Sequence, residues 1–222
     1  MDHLNAKAFG RFLYFVVTFS ALIFLPAWTL DYWQAWVFLG VFTVSISAIF
    51  IYLAKNDRTL LARRVNTTEK GRDQTIIRFL IKLAVTAVIV LSAVDHRFGW
   101  SAVSLYAVLA GDGLVALGLL IIFRVFQENT FTAATIQVEA GQKVISTGPY
   151  ALVRHPMYAG GLVIILGIPL ALGSWWGLLM IGLFTAVIAW RILDEEKVLA
   201  KDLPGYLEYR DKVRYRLVAF VW

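Results

Sequence analysis

The sequence predicts an all-α membrane protein of about six transmembrane helices, with a cytoplasmic C-terminal helix and a small lid loop. Three observations support this. Of the 222 residues, 59% are hydrophobic and only 16% are charged, whereas soluble domains lie near one quarter charged. Apolar runs of about twenty residues, long enough to cross a hydrocarbon core of about 30 Å, recur between short polar turns. With six such spans, every one of the 21 Lys and Arg residues except Arg97 lies on a single side. The positive-inside rule makes that side the cytoplasm, with both termini on it.

The composition also excludes several functions. There is no cysteine, so disulfides, thiolate nucleophiles and Cys-based metal sites are ruled out. The three histidines, His3, His96 and His155, are scattered, so no metal centre is expected. A net charge of +6 could suggest nucleic acid in a soluble protein. Here topology and attraction to anionic lipid account for it.

Residues 1–222 read as a single membrane domain, with N-terminal spans in 1–123 and a functional core in 124–222. Met1 to Gly10 lacks a small-residue cleavage site and is not read as a removed signal peptide. The first span is expected over Arg11 to Leu30 and the second over Trp33 to Ala54, joined by an aromatic turn at Asp31 to Gln34. Residues 55–74 carry six basic residues around Leu60 and Leu61, the pattern of an amphipathic helix lying on the membrane surface. The third span runs from Thr75 to Val94, with Arg78 and Lys82 reaching back to the headgroups. A turn at Asp95 to Trp100 leads into the fourth span, Ser101 to Phe123. Asp112 lies within that fourth span, where an ionisable group is a functional candidate by default. With no second acid at similar depth, it reads as a helix-packing hydrogen-bond residue or a neighbour of a binding pocket.

Residues 124–155 are too polar for the bilayer. Their β-branched stretches, Phe131 to Val138 and Lys143 to Thr147, predict a hairpin-like lid turning at Glu139 to Gln142. The last two spans, Pro156 to Leu172 and Leu178 to Ile192, form a hairpin through Gly173 to Gly177. Beyond them Asp194 to Asp211 should be helical, interrupted at Pro204 and Gly205.

The most informative stretch is Gly148-Pro-Tyr-Ala-Leu-Val-Arg154-His155-Pro156-Met-Tyr158-Ala-Gly160-Gly161. Pro156 suits the first helical position, which places Arg154 and His155 just outside a helix start. Free N–H groups and the dipole make that start a site for an anionic group. Gly160, Gly161 and Gly167 open the backbone to a ligand or to another helix, and helix packing is the commoner use of such glycines. Some thirty residues later come Arg191-Ile-Leu-Asp-Glu195-Glu196-Lys-Val-Leu199 and Tyr206-Leu-Glu-Tyr209.

Together these two motifs resemble the isoprenylcysteine carboxyl methyltransferase and phospholipid methyltransferase superfamily, over about residues 120–218. The resemblance implies an integral membrane methyltransferase using S-adenosyl-L-methionine and releasing S-adenosyl-L-homocysteine. It implies cofactor binding by Arg154, His155 and Pro156 and by Glu195 and Glu196, with Tyr158, Gly160 and Gly161 lining the adenosyl pocket. The cofactor carboxylate suits Arg154, His155 and the helix start, and its ammonium or ribose suits the acids. Arg191 and Arg124 are the candidates to hold an acceptor carboxylate. Arg154 taken alone reads as a headgroup anchor, and Glu195 and Glu196 alone as a solvated face. Their joint occurrence at the ends of one apolar hairpin favours the site.

The acceptor is expected to be lipophilic and to enter sideways from the bilayer, while the cofactor comes from water beneath the lid. A carboxylate of isoprenylcysteine type is favoured over a phospholipid amine, because a carboxylate needs a cation rather than a base. A small transporter or scaffold is the reading of another class, but a transporter should show broken helices or related halves. The sequence shows neither.

Overall fold

A computed structural model describes the chain over residues 3–65, 72–132 and 141–222. These residues are helical or irregular, with no strand among them. The elements are α1 (His3–Ala27), α2 (Trp33–Asn56), α3 (Arg58–Val65), α4 (Arg72–Phe98), α5 (Leu105–Glu128), α6 (Pro156–Ala171), α7 (Ile181–Asp202) and α8 (Tyr206–Lys212), with 3₁₀ turns at Gly148–Ala151 and Trp176–Met180. Five helices are long and apolar enough to cross a membrane: Leu4–Ala27, Trp33–Asn56, Gln74–Phe98, Leu105–Glu128 and Trp176–Asp202. The sixth apolar helix, α6, has 16 residues, about 24 Å at helical rise. The architecture agrees with about six membrane helices, and α6 ends one residue before the expected Leu172.

The short helix has local causes. Pro156 starts it, and a Schellman turn ends it: Gly173 at φ +70° donates to the Leu170 carbonyl at 2.9 Å, and Ser174 donates to the Pro169 carbonyl at 2.8 Å. What α6 lacks in length it gains in proximity to α5. A Cβ added at Gly118 would stand 2.6 Å from the Gly160 carbonyl oxygen, and one at Gly167 would stand 2.6 Å from that of Gly111. Neither position can carry a side chain without parting the two backbones, the use small residues serve between membrane helices.

Around this pair α1 packs on α4, α2 on α5 and α4 on α7. Phe38, Val88, Val115, Ile168 and Ile192 form the shared core. At the end away from the C-terminal motifs, buried Asp95 accepts from Ser101 Oγ at 2.6 Å and Ser174 Oγ at 2.5 Å. Tyr32 stacks on His96 and donates to the Leu172 carbonyl at 2.5 Å. These contacts tie the α6–α7 hairpin to α2 and α4.

Four expectations change. The first span begins near His3, ahead of Arg11. Helix α4 continues through Asp95 to Phe98, absorbing part of the predicted turn, because Asp95 finds its hydrogen bonds while still helical. Leu60 and Leu61 are buried against Ala8, Leu53 and Phe126, so the apolar face of α3 rests on the bundle instead of on lipid. Asp112 is buried with neither carboxylate oxygen hydrogen-bonded among the described residues, so it does not serve as a helix-packing hydrogen bond. The first half of the predicted lid hairpin, from residue 133 to residue 140, lies outside the described residues; the second half, Lys143 to Thr147, is irregular.

Candidate functional site

The chain between α5 and α6 is anchored before it enters the helix. Gly148, at φ +56°, turns against Glu128, where an added Cβ would lie 2.7 Å from the side chain. Thr147 Oγ1 donates to Glu128 Oε2 at 2.9 Å, and Asn129 Nδ2 donates to Tyr150 Oη at 3.0 Å. Tyr209 on α8 donates its hydroxyl to the Tyr150 carbonyl at 2.8 Å. Residues 147–150 therefore bridge the end of α5 to α8, and Pro156 starts α6 with His155 as its cap.

Glu196 gathers two arginines and a histidine. Its Oε1 accepts from Arg154 Nε at 2.8 Å and lies 3.3 Å from His155 Nε2; its Oε2 accepts from Arg216 Nε at 3.0 Å. Arg154 Nη1 also donates to the carbonyls of Val213 and Arg214, each at 2.8 Å. The backbone follows the same path, with Arg154 N–H donating to Tyr215 O and His155 N–H to Arg216 O, both at 2.9 Å. Residues 213–216 are thus strapped across the Arg154-His155 dipeptide. Arg154, His155 and Glu196 are all buried, where charge-assisted bonds of this kind are strongest.

One turn away Tyr158 joins the second acid. Its hydroxyl donates to Glu195 Oε2 at 2.6 Å and accepts from Arg191 Nε at 3.0 Å. Arg191 Nη1 donates to Gln74 Oε1 at 2.6 Å, and the Gln74 amide nitrogen is bonded to Asp194. Arg191 and Glu195 lie four residues apart on α7, and Tyr158 connects them across the helix interface.

A cleft with a cavity volume of about 130 Å³, partly open to solvent, lies between these two groups of contacts. Its walls include Tyr150, Arg154, His155, Tyr158, Glu195 and Tyr206, and Asn129, Phe131 and Lys143 border it from the α5–α6 segment. Tyr206 Oη is buried with no hydrogen-bond partner among the described residues. Burial pushes the Tyr150 phenol up to about 12 and raises those of Tyr206 and Tyr209 further, so all three stay neutral near pH 7. Beneath the cleft Arg64 donates to Met157 Sδ at 3.0 Å and lies 4.6 Å above the Phe126 ring. Burial lowers it to about 10, against the opposing pull of Tyr158, Tyr150 and Glu195.

The structure brings most of the sequence-predicted residues together, but in different positions. Arg154, His155, Pro156, Tyr158 and Glu195 line the cleft. Glu196 stands behind it, holding the strap. Gly160 faces α5, where an added Cβ would meet the Gly118 carbonyl oxygen at 2.8 Å, so it sets the helix approach and does not form cleft wall. Gly161 has open space beside it and is also absent from the lining. Arg191 is buried beside Tyr158. Arg124 is exposed, donates to Gln127 Oε1 at 3.3 Å and is not brought to the cleft.

Sequence reasoning missed Arg64, Gln74 and Arg216. Arg216 lies 20 residues beyond Glu196 on an irregular segment, so no periodicity joins the two. Gln74 closes the polar 55–74 stretch in the sequence, and only the structure shows it buried in the first turn of α4 beside Arg191.

Two comparisons bear on this arrangement. The model of the phospholipid methyltransferase family matches residues 106–203, a stretch that takes in nearly all of α5, the cleft segment, α6 and α7. A delta(14)-sterol reductase from Mus musculus is 31% identical over 91 residues, which is 40% of this chain and 22% of that protein. The chain therefore spans less than a quarter of the length of this curated relative. The family match supports the superfamily resemblance over residues 106–203, which is less than half of the chain.

Proposed function

From a phospholipid methyltransferase segment built into a helical membrane bundle, we propose that this protein transfers a methyl group from S-adenosyl-L-methionine to a lipophilic acceptor, the acceptor group being a carboxylate of isoprenylcysteine type. The observation that carries the proposal is the cleft where the two sequence motifs meet, with Glu195, Tyr158 and the unpartnered Tyr206 hydroxyl on its walls. That donor set fits the cofactor. When bound, the cofactor supplies a methyl already activated by a sulfonium, so the protein has mainly to hold both reactants in line and exclude water.

Each residue has a part in that task. Glu195 would hold the cofactor ammonium, and the Tyr206 hydroxyl would serve a ribose oxygen. The first N–H groups of α6 have no intrahelical partner and, with Lys143, attract the cofactor carboxylate. Arg154 and His155 form part of the cleft wall, and Glu196 fixes them from behind. Arg191 lies one turn of α7 before Glu195, toward the apolar run, and holds the acceptor carboxylate. A carboxylate reacts without losing a proton, so no general base is required. The lipid tail follows a bilayer-side groove of about 330 Å³ between α2 and α5, lined by Ser45, Ile49, Ala116, Leu119 and Phe123. Soluble cofactor enters from the water side past residues 142–145.

Two other readings rest on the comparisons. The description of the matched family favours a phospholipid amine as acceptor, in which case Glu195 would also have to take its proton. The sterol reductase likeness favours reduction of a sterol-like lipid. One experiment separates all three: purified protein is given radiolabelled cofactor with a farnesylated cysteine analogue and phosphatidylethanolamine side by side, and is separately titrated with S-adenosylhomocysteine and NADPH. Base-labile label in the cysteine analogue is the expected result. Base-stable label in the lipid head overturns the carboxylate assignment, and NADPH binding without S-adenosylhomocysteine binding overturns methyl transfer.

A further inference from the structure

The strap that closes over Arg154 and His155 has a second face. On its outer side Arg154, Arg210, Arg214 and Arg216 surround an open depression, with Asp211 as the only acid among its lining residues. Asp211 lies 3.8 Å from Arg210 Nε, and both are substantially exposed; at that distance and exposure the pair neutralises little. Arg154 and Arg216 are held in place by Glu196, so two of the four guanidinium groups are positioned before any ligand arrives. Convergent guanidinium groups on a fixed frame suit a phosphate, whose oxygens accept paired N–H donors.

The surroundings identify which phosphate. Leu217 is buried in the bundle core with Ile188 and Ile192, which keeps the strap against the membrane-spanning body at the end of α7. From the same segment Val218, Phe220 and Val221 are exposed, as is Leu207 of α8. Phe220 lies against Tyr215, with ring centroids 5.2 Å apart, and Arg216 lies 5.2 Å from the Trp222 ring. Exposed apolar and aromatic side chains beside arginines are the pattern of a segment lying in the interface of a bilayer.

We propose that this arginine depression binds the phosphate of an anionic phospholipid headgroup, with Phe220 and Val221 seated among the acyl chains beside it. The bound phosphate lies against Arg154 and Arg216 on the side opposite Glu196, so it offsets the positive charge there and steadies the strap. Lipid binding at this site does not depend on the methyl-transfer reading.

The test uses the full chain in neutral detergent with spin-labelled phosphatidylglycerol, and phosphatidylcholine as the reference. Arg210→Gln with Arg214→Gln removes the two exposed arginines, neither of which has a side-chain role in the cleft. Lys197→Gln with Lys201→Gln removes the same charge from α7 outside the depression. Wild-type protein should immobilise phosphatidylglycerol in preference to phosphatidylcholine. The arginine pair should lower that affinity about 25-fold, about fivefold for each basic residue near the surface, and the lysine pair less than threefold. Phosphatidylglycerol should also raise the melting temperature of wild-type protein more than that of the arginine variant. An equal loss in both variants, no loss in the arginine variant, or displacement of the lipid by low millimolar inorganic phosphate would each overturn the proposal.

Discussion

Glu196 Oε1 accepts from Arg154 Nε at 2.8 Å while its Oε2 accepts from Arg216 Nε at 3.0 Å. One carboxylate thereby joins the loop before α6 to the strap after α8. Removing one partner of a buried pair leaves the other charge uncompensated, at about 3–5 kcal/mol. Glu196→Ala should therefore lower the thermal midpoint sharply and weaken S-adenosylhomocysteine binding together. Melting followed by intrinsic fluorescence, with exposed Glu208→Gln as control, checks this. Equal midpoints in the two variants would show that the clamp contributes nothing.

Tyr158→Phe isolates the other group of contacts. It deletes the hydroxyl that joins Glu195 and Arg191 but keeps the ring. Hydrogen bonds to charged groups contribute about 1.5–3 kcal/mol, so S-adenosylhomocysteine should bind about 10- to 100-fold more weakly by calorimetry, with the fold retained by circular dichroism. Wild-type affinity in this variant would remove Tyr158 and Glu195 from the cofactor site.

The α5–α6 contact predicts a contrast between two glycines on one helix. An added Cβ at Gly118 would meet the Gly160 carbonyl oxygen at 2.6 Å, whereas at Gly113 nothing lies within 4 Å. Gly118→Ala should destabilise by about 1–3 kcal/mol, the usual range for overpacking. Gly113→Ala should be neutral or slightly stabilising, since alanine is the better helix former. Thermal unfolding in detergent compares them directly, and equal effects would count against the close approach.

Alkaline pH should loosen the cleft. Tyr150 ordinarily ionises near 10 and is raised to about 12 by burial, and Tyr206 and Tyr209 are raised as well. The unfolded chain gives up these protons first, so the stability they contribute is fully present below pH 10 and is lost as pH rises through the folded values. Melting midpoints should fall steeply between about pH 10 and 12, and less steeply in a Tyr150→Phe, Tyr209→Phe variant. A slope unchanged by those substitutions would place the effect elsewhere.

The sequence alone was enough to show a helical membrane body, because lipid leaves the backbone few alternatives and spans must be apolar and about twenty residues long. It also singled out the residues around Arg154 and Glu196, whose charges stand out against apolar surroundings. The tertiary structure decided how those residues are used. Glu195 and Glu196 are neighbours in sequence, yet successive helical positions lie about 100° apart, so one faces the cleft and the other the strap. The same geometry turned Gly160 toward α5 and left Arg124 outside the site. Arg216 could not be read in advance, because an irregular segment carries no period and its role exists only once Leu217 and Trp222 pack the strap against the bundle.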